Sequence, residues 1–365
     1  MILNKLKALN FRNYKTLDLS FDKERNINLI VAKNGMGKSN MLEMLYYLSH
    51  LRAFRNATDK DLILHGQKNF QLFCEYENKE IHGNVSVKYS GKKEILLNEK
   101  RITKHSEILG KLQTVFFGSN DISIISGSPA ERRVYFDIFL SILDYDYLVA
   151  LRTYNLLLKQ KNAAIKSKRN DILFYFDKQI ADVAFILIKK RAFLVDKVNV
   201  LFSELFKNIG AFKDLALLRY VSSYERDFNT SKDLLDYILY QDKFDFEKGY
   251  CIQGPHKDNY YFILNNTIFS KYASLGQIRL GALILKLVQA KCYENKFKTC
   301  PILLLDDVIL ELDMEKQQKF LTEICADYQL FITVTDEKYR KYFNNQDAVR
   351  IIKVNNGEKK KKKFL

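Results

Sequence analysis

Between Asn28 and Tyr46 an apolar run, a small glycine-bearing loop and an amphipathic stretch follow one another, and this order constrains the fold tightly. Leu29-Ile30-Val31 reads as a strand, Ala32-Lys33-Asn34-Gly35-Met36-Gly37-Lys38-Ser39 as a phosphate loop, and Asn40-Met41-Leu42-Glu43-Met44-Leu45-Tyr46 as a helix. Strand, loop and helix in that order are what a P-loop requires. Gly35 and Gly37 allow a tight turn that aims consecutive backbone N–H groups inward, as a nest for phosphate oxygens. Lys38 has the reach for β- and γ-phosphates, and the Ser39 hydroxyl is placed to ligate Mg²⁺. The helix N-terminus adds its positive dipole end. Ala32 stands where the strict pattern has its first glycine, a departure by the smallest side chain. The competing reading is a chance Gly-Lys-Ser in an ordinary loop.

At 365 residues the chain can hold one large or two modest domains with a sizeable core. Nearly half of it is hydrophobic, which argues against disorder over most of its length. No apolar run approaches the ~18–20 residues of a membrane helix. Met1-Ile2-Leu3-Asn4-Lys5-Leu6 lacks the layout of a signal peptide. Cys74, Cys251, Cys292, Cys300 and Cys325 are scattered without a C-x-x-C pair, supporting neither a zinc site nor a disulfide framework. The expectation is a soluble protein of a reducing cytoplasm. A net charge of +16 points to a polyanion such as nucleic acid, with an acidic membrane surface or solubility alone as blander accounts. The run from Lys359 to Lys363 reads as a solvated tail, and the chain stays basic without it.

Residues 2–10 and 15–21 alternate apolar with polar, the pattern of paired strands around the turn Phe11-Arg12-Asn13-Tyr14. Arg12 there is either part of a polar turn or close to a bound nucleotide. A basic loop, Ser49 to Arg55, follows the P-loop helix, and short strands are expected at Phe70–Tyr76, Gly83–Tyr89, Glu94–Leu97 and Thr114–Phe117. Ser128, Pro129 and Glu131 then open a helix as N-cap, first and third positions. The helical pattern runs to about Gly210, with a polar turn at Ser167–Asn170 dividing two long helices into an antiparallel hairpin. Lys159, Lys161, Lys166, Lys168, Arg169, Lys189, Lys190 and Arg191 lie along it, as a solvated face or as a nucleic-acid rail. Strands return at Leu215–Val221 and Tyr260–Leu264, with a helix at Lys232–Asp242 between them. His256, in the turn Gly254-Pro255-His256-Lys257-Asp258, lacks the partners a metal site needs.

Ser274-Leu275-Gly276-Gln277 precedes an apolar helix, where Ser274 by itself reads as an N-cap. Pro301-Ile302-Leu303-Leu304-Leu305-Asp306-Asp307 is a buried parallel-type strand ending in two carboxylates, which are costly to desolvate without a purpose. Asp306 is placed to hold Mg²⁺ and Asp307 to orient or deprotonate an attacking water. A turn at Glu311-Leu312-Asp313 and a last apolar strand, Leu330 to Asp336, complete the series.

P-loop, Ser-x-Gly-Gln, strand-Asp-Asp, Leu-Asp turn and final strand in this order resemble the ABC-type ATPases of the SMC class. Phe11-Arg12-Asn13-Tyr14, Gly127-Ser128-Pro129-Ala130-Glu131-Arg132-Arg133 and Gly254-Pro255-His256-Lys257-Asp258 narrow the resemblance, over most of the chain, to the RecF family of bacterial recombination mediators. The resemblance implies an α/β fold, an ABC-type P-loop ATPase head of mixed sheets with flanking helices, carrying an inserted α-helical arm. The head would comprise residues 1–118 and 254–358, the arm 119–253 and the basic tail 359–365. It further implies ATP and Mg²⁺ as ligands, weak DNA-stimulated hydrolysis and an ATP-dependent homodimer. The partners would be single-stranded and gapped double-stranded DNA, RecR, RecO and, indirectly, RecA, in gap repair, replication restart and the SOS response. Residues 32–40 (Ala32, Lys33, Asn34, Gly35, Met36, Gly37, Lys38, Ser39, Asn40) and Arg12 would bind ATP, with Ser39 and Asp306 on the metal. Asp307 and Lys38 would be catalytic, and Ser274, Gly276 and Gln277 would act in trans. Thr335 stands where ABC transporters commonly place a switch histidine, and Gln113 is a weak candidate for the Q-loop glutamine. Lys189, Lys190, Arg191, Arg52 and Arg55 are the DNA-contact candidates. A transporter ATP subunit is the alternative, against which stand the long insertion and the high charge. An SMC-like structural ATPase is another, but about 130 inserted residues are too few for a chromosome-spanning coiled coil.

Overall fold

The computed structural model describes residues 1–54, 57–78, 81–210, 216–308, 312–325, 327–343, 345–355 and 358–359. In chain order the elements are β1 (Ile2–Phe11), β2 (Tyr14–Ser20), β3 (Ile27–Val31), α1 (Lys38–His50), β4 (Phe70–Glu77), β5 (His82–Tyr89), β6 (Lys93–Leu97), β7 (Lys100–Ile102) and β8 (Thr114–Gly118). Next come α2 (Ile122–Ser126), α3 (Pro129–Leu143), α4 (Tyr145–Lys166), α5 (Leu173–Gly210), β9 (Ala216–Val221), α6 (Ser231–Lys248), β10 (Asn259–Leu264), β11 (Thr267–Ile268) and α7 (Phe269–Tyr272). The series closes with α8 (Leu275–Phe297), β12 (Ile302–Asp306), α9 (Met314–Cys325), β13 (Leu330–Val334), β14 (Val349–Asn355) and β15 (Glu358–Lys359).

Two compact units result: Met1–Asn120 with Lys286–Leu365, and Asp121–Leu285. The first holds a sheet ordered β15-β14-β3-β13-β12-β8, in which β14, β3, β13, β12 and β8 run parallel. Its central strands are apolar apart from Asn28, Thr333 and the terminal Asp306, because a parallel sheet is covered on both faces. The antiparallel sheet β2-β1-β4-β5-β6-β7 alternates buried and open positions instead. Register puts Asp306 opposite Thr333 and Val31 opposite Val334, so Asp306, Thr333 and the loop after β3 share the carboxyl edge of the sheet. Ligands of open α/β sheets bind at that edge. Gln113 precedes Thr114, which pairs with Ile302, so it lies at the opposite edge from Asp306, roughly 16 Å away along the strands at 3.3 Å per residue. Its amide donates to the Gly110 carbonyl. The Q-loop role is therefore a correction: Gln113 faces away from the phosphate edge.

The second unit departs from the sequence reading in two ways. The helical run breaks at Asp144, whose extended backbone and side chain accepting from Tyr147 N make it the N-cap of α4. There are thus three long helices, α3, α4 and α5, before β9. Residues 254–285 also cluster here and not with the head, because β10 pairs with β9 from Asn259↔Val221 to Leu264↔Ala216. The Ser-Pro-Ala-Glu-Arg-Arg and Gly-Pro-His-Lys-Asp stretches meet in this unit. Arg132 donates to Asn259 Oδ1 and Arg133 to the Asp258 carbonyl. Gly254 has φ +135°, and a Cβ there would lie 2.3 Å from the Tyr154 hydroxyl oxygen, so only glycine fits. His256 Nε2 sits 3.1 Å from the Cys251 carbonyl, which can only accept; Nδ1 therefore takes the Tyr154 hydroxyl at 2.6 Å. Burial pushes its imidazole down to about 4, so it is a neutral structural histidine.

Candidate nucleotide site

The loop between β3 and α1 takes its shape from Gly35 at φ +81° and Gly37 at φ +98°, both in the left-handed region. Ala32 keeps an ordinary backbone conformation and donates its N–H to the Val334 carbonyl at 3.3 Å, so the missing first glycine costs the loop no strain. Lys38 is buried under the loop, its ammonium donating to the Ala32 carbonyl at 3.0 Å and to Asn34 Oδ1 at 3.1 Å. Ser39 Oγ donates to Asp306 Oδ1 at 2.8 Å, across 267 residues of chain. Asn34, Gly35, Gly37, Lys38, Ser39, Asn40 and Asp307 line one cavity of about 260 Å³. Lys33 is exposed at its margin, and Met36 packs on the apolar core.

Asp307 sits just past β12 with φ +57°, a conformation uncommon for aspartate. Burial raises its carboxyl above the ordinary value; Lys38 pulls it back down, Asp306 raises it, and the Thr333 hydroxyl lowers it. Thr333 is the residue that periodicity missed. Its hydroxyl is 2.9 Å from Asp306 Oδ1, 3.2 Å from Asp307 Oδ1 and 2.9 Å from Asp307 N, bracing both carboxylates. A lone threonine inside an apolar strand was the available signal. Thr335 is exposed directly after β13.

Arg12 turns its guanidinium to Glu43 on α1, at 2.7 and 3.1 Å, and to the Asp61 carbonyl, and it does not line the cavity. The neighbouring residues reach the loop instead. Asn13 donates to the Met36 carbonyl at 3.3 Å and accepts from Asn40, and the Tyr14 hydroxyl donates to the Gly37 carbonyl at 3.0 Å. A Cβ at Gly37 would fall 2.3 Å from the Asn13 amide nitrogen, so the turn clasps the loop closely.

Ser274 and Gln277 form a reciprocal cap at the start of α8: Ser274 N donates to Gln277 Oε1 at 2.8 Å, and Gln277 N to Ser274 Oγ at 3.2 Å. Ser274 and Gly276 are exposed on their unit.

The basic candidates separate sharply. Arg191 is buried at 1% exposure, donating to Pro255 O, Asp258, Asp137 and the Tyr147 hydroxyl at 2.7–3.0 Å. It is withdrawn as a DNA contact: it is the centre of a buried polar knot. Lys161 is likewise buried, held by Asp177, Asp242 and Asp245. Lys190 is partly exposed but paired with Asp144. Lys189 and Arg52 are exposed; Arg55 lies outside the described residues.

A P-loop at the carboxyl edge of a parallel sheet, its Ser39 at the start of α1 bonded to Asp306 at the end of β12, and an antiparallel sheet in the same unit define an ABC-type ATPase head, here with a helical unit inserted. The family model described as RecF/RecN/SMC N terminal domain matches residues 2–360. DNA replication and repair protein RecF of Treponema pallidum is 33% identical over 95% of this chain and 98% of its own. The Clostridium tetani protein of that name is 34% identical over 98% and 99%. A solved structure of the recombination mediator protein RecF with ATP, in the RecFOR pathway, superposes with a TM-score of 0.87 at 28% identity, covering 98% of this chain and 96% of that one. The chain belongs to the RecF/RecN/SMC family, on its RecF branch.

Proposed function

We propose that this protein is an ATP-dependent, DNA-binding recombination mediator in which ATP acts mainly as a conformational switch. The observation that carries the reading is the Ser39–Asp306 contact of 2.8 Å, with Ser39, Lys38 and Asp307 lining one cavity. A hydroxyl and a carboxylate side by side are hard oxygen donors suited to Mg²⁺, so these two residues would hold it. Bound there, the ion would neutralise phosphate charge. Residues 34–40 would cradle the triphosphate with backbone N–H groups, and Lys38 would exchange its carbonyl and amide partners for phosphate oxygens. Asp307, its charged form held by Lys38 and Thr333, would orient the attacking water. Arg12 is better read as a strut between the 11–14 turn and α1, with Asn13 and Tyr14 fixing the loop.

The likeness to proteins named for DNA replication and repair and for the RecFOR pathway supports a role in repair. The wider proposal is that single-stranded and gapped double-stranded DNA would be the substrate, RecO and RecR the partners and RecA loading the outcome, for a cytoplasmic protein with weak DNA-stimulated hydrolysis. Among the described residues no helix is long and apolar enough to cross a membrane. A second copy would complete the site with Ser274, Gly276 and Gln277.

Lys38→Met tests the site. The variant is expected to lose ATP binding by calorimetry while unfolding as the parent does in the absence of nucleotide, since the lysine serves phosphate more than the fold. Equal ATP affinity in both proteins would remove the P-loop assignment.

A further inference from the structure

With Arg191 and Lys161 buried, the basic rail must be sought elsewhere on the arm, and the two long helices differ. After Asp146, every charged residue exposed on α4 and the turn after it as far as Lys168 is basic: Arg152, Lys159, Lys166 and Lys168. Among the described residues none of the four has an ion-pair partner. The exposed face of α5 is mixed: Lys178, Lys189, Lys197 and Lys207 alternate with Asp182, Asp196 and Glu204. Arg152, Lys159 and Lys166 recur every seventh residue, about 10.5 Å apart along the helix and within roughly 40° of one another around it. The opposite side of α4 is spent on packing through Tyr147, Ala150, Tyr154, Leu157, Lys161 and Ala164. The stripe is therefore anchored from behind and faces solvent, with none of its cations ion-paired among the described residues.

We infer that the outer face of α4 is the arm's contact for the phosphate backbone of DNA. This rests on the DNA-binding reading above and assigns it a surface. The contact carries no base information, since three or four point charges at this spacing meet phosphates and not base edges. An acidic lipid surface is the competing occupant, but on α4 only Tyr145, Val149, Leu156 and Ala163 lie exposed and apolar beside the stripe, too narrow a face to enter a bilayer.

The test neutralises Arg152→Gln, Lys159→Gln and Lys166→Gln together and compares the variant with Lys178→Gln, Lys197→Gln and Lys207→Gln on α5, which carries the same net charge. Binding of a short fluorescent duplex is measured across salt concentrations, with ATP binding as the check that each protein is folded. Each phosphate that the variant no longer neutralises lowers the slope of log affinity against log salt by about 0.9. The α4 variant is expected to show a slope smaller by roughly 2.7, and the α5 variant almost no change. Equal slopes in the two variants, or an α4 variant unchanged from the parent, would overturn the α4 assignment alone. A parent that binds no DNA at any salt would overturn the DNA reading itself. Binding of the parent to phosphatidylserine vesicles, abolished in the α4 variant while duplex binding persists, would give the face to lipid.

Discussion

Asp307 and Thr333 show how much chemistry two neighbouring strand ends can hold. The carboxylates of Asp306, the last residue of β12, and Asp307, just past it, would repel each other at close range; the Thr333 hydroxyl on the next strand bonds to both, and Lys38 favours the charged form of Asp307. Asp307→Asn preserves shape but removes the carboxylate proposed to orient the attacking water. ATP binding is expected to persist while turnover falls about a hundredfold or more, so that the ATP-bound state accumulates. Single-turnover kinetics alongside equilibrium ATP binding would check this, and full turnover would mean that another group activates the water.

Among the elements, α5 carries the arm's internal stability and α4 its outward charge. Arg191 ties α5 to α3 through Asp137 and to the turn before β10 through Asp258, which is fully buried and also accepts from Ser223 N and the Tyr220 hydroxyl. Removing one partner of a buried pair leaves the other charged and unsatisfied, at a cost of about 3–5 kcal/mol. Arg191→Ala is therefore expected to lower the opening free energy of α5 and β10 by about that amount in native-state hydrogen exchange. Lys189→Ala, close by in sequence but exposed, should change protection little. Parent-like protection in Arg191→Ala would mean that the knot relaxes around the loss.

For the whole molecule the decisive matter is how a nucleotide on one chain could control its assembly. Ser274 and Gly276 are exposed, flanked by Tyr272 and Leu275 at 74% and 57% exposure, as a surface awaiting a partner would be. ATP can favour a closed pair only by as much as it binds that pair better than the single chain. Ser274→Arg should leave folding and first-encounter ATP binding nearly intact, yet block closure with a bulky cation. Sedimentation with ATP and Mg²⁺ is expected to show dimer for the parent and monomer for the variant, with hydrolysis falling in parallel. A variant that still dimerises would reduce Ser274 to the helix cap it forms with Gln277.

The P-loop, the strand-Asp-Asp end, the caps at Ser128 and Ser274 and most element boundaries were legible in the residues alone. Each rests on local rules: glycine where φ is positive, an oxygen-bearing side chain at a helix start, unbroken apolar runs for covered strands. What one residue does for a distant one was not legible. Arg12 could be read as a nucleotide contact, but the fold brings it to Glu43; Arg191 could be read as a DNA contact, but three elements close over it. Periodicity cannot separate a lysine or arginine that faces water from one that faces a buried aspartate, because both tolerate the same helical position. Burial is set by which elements pack together, and that is decided by contacts far apart in the chain: β12 beside β13 and β8, and Arg133 against the carbonyl of Asp258.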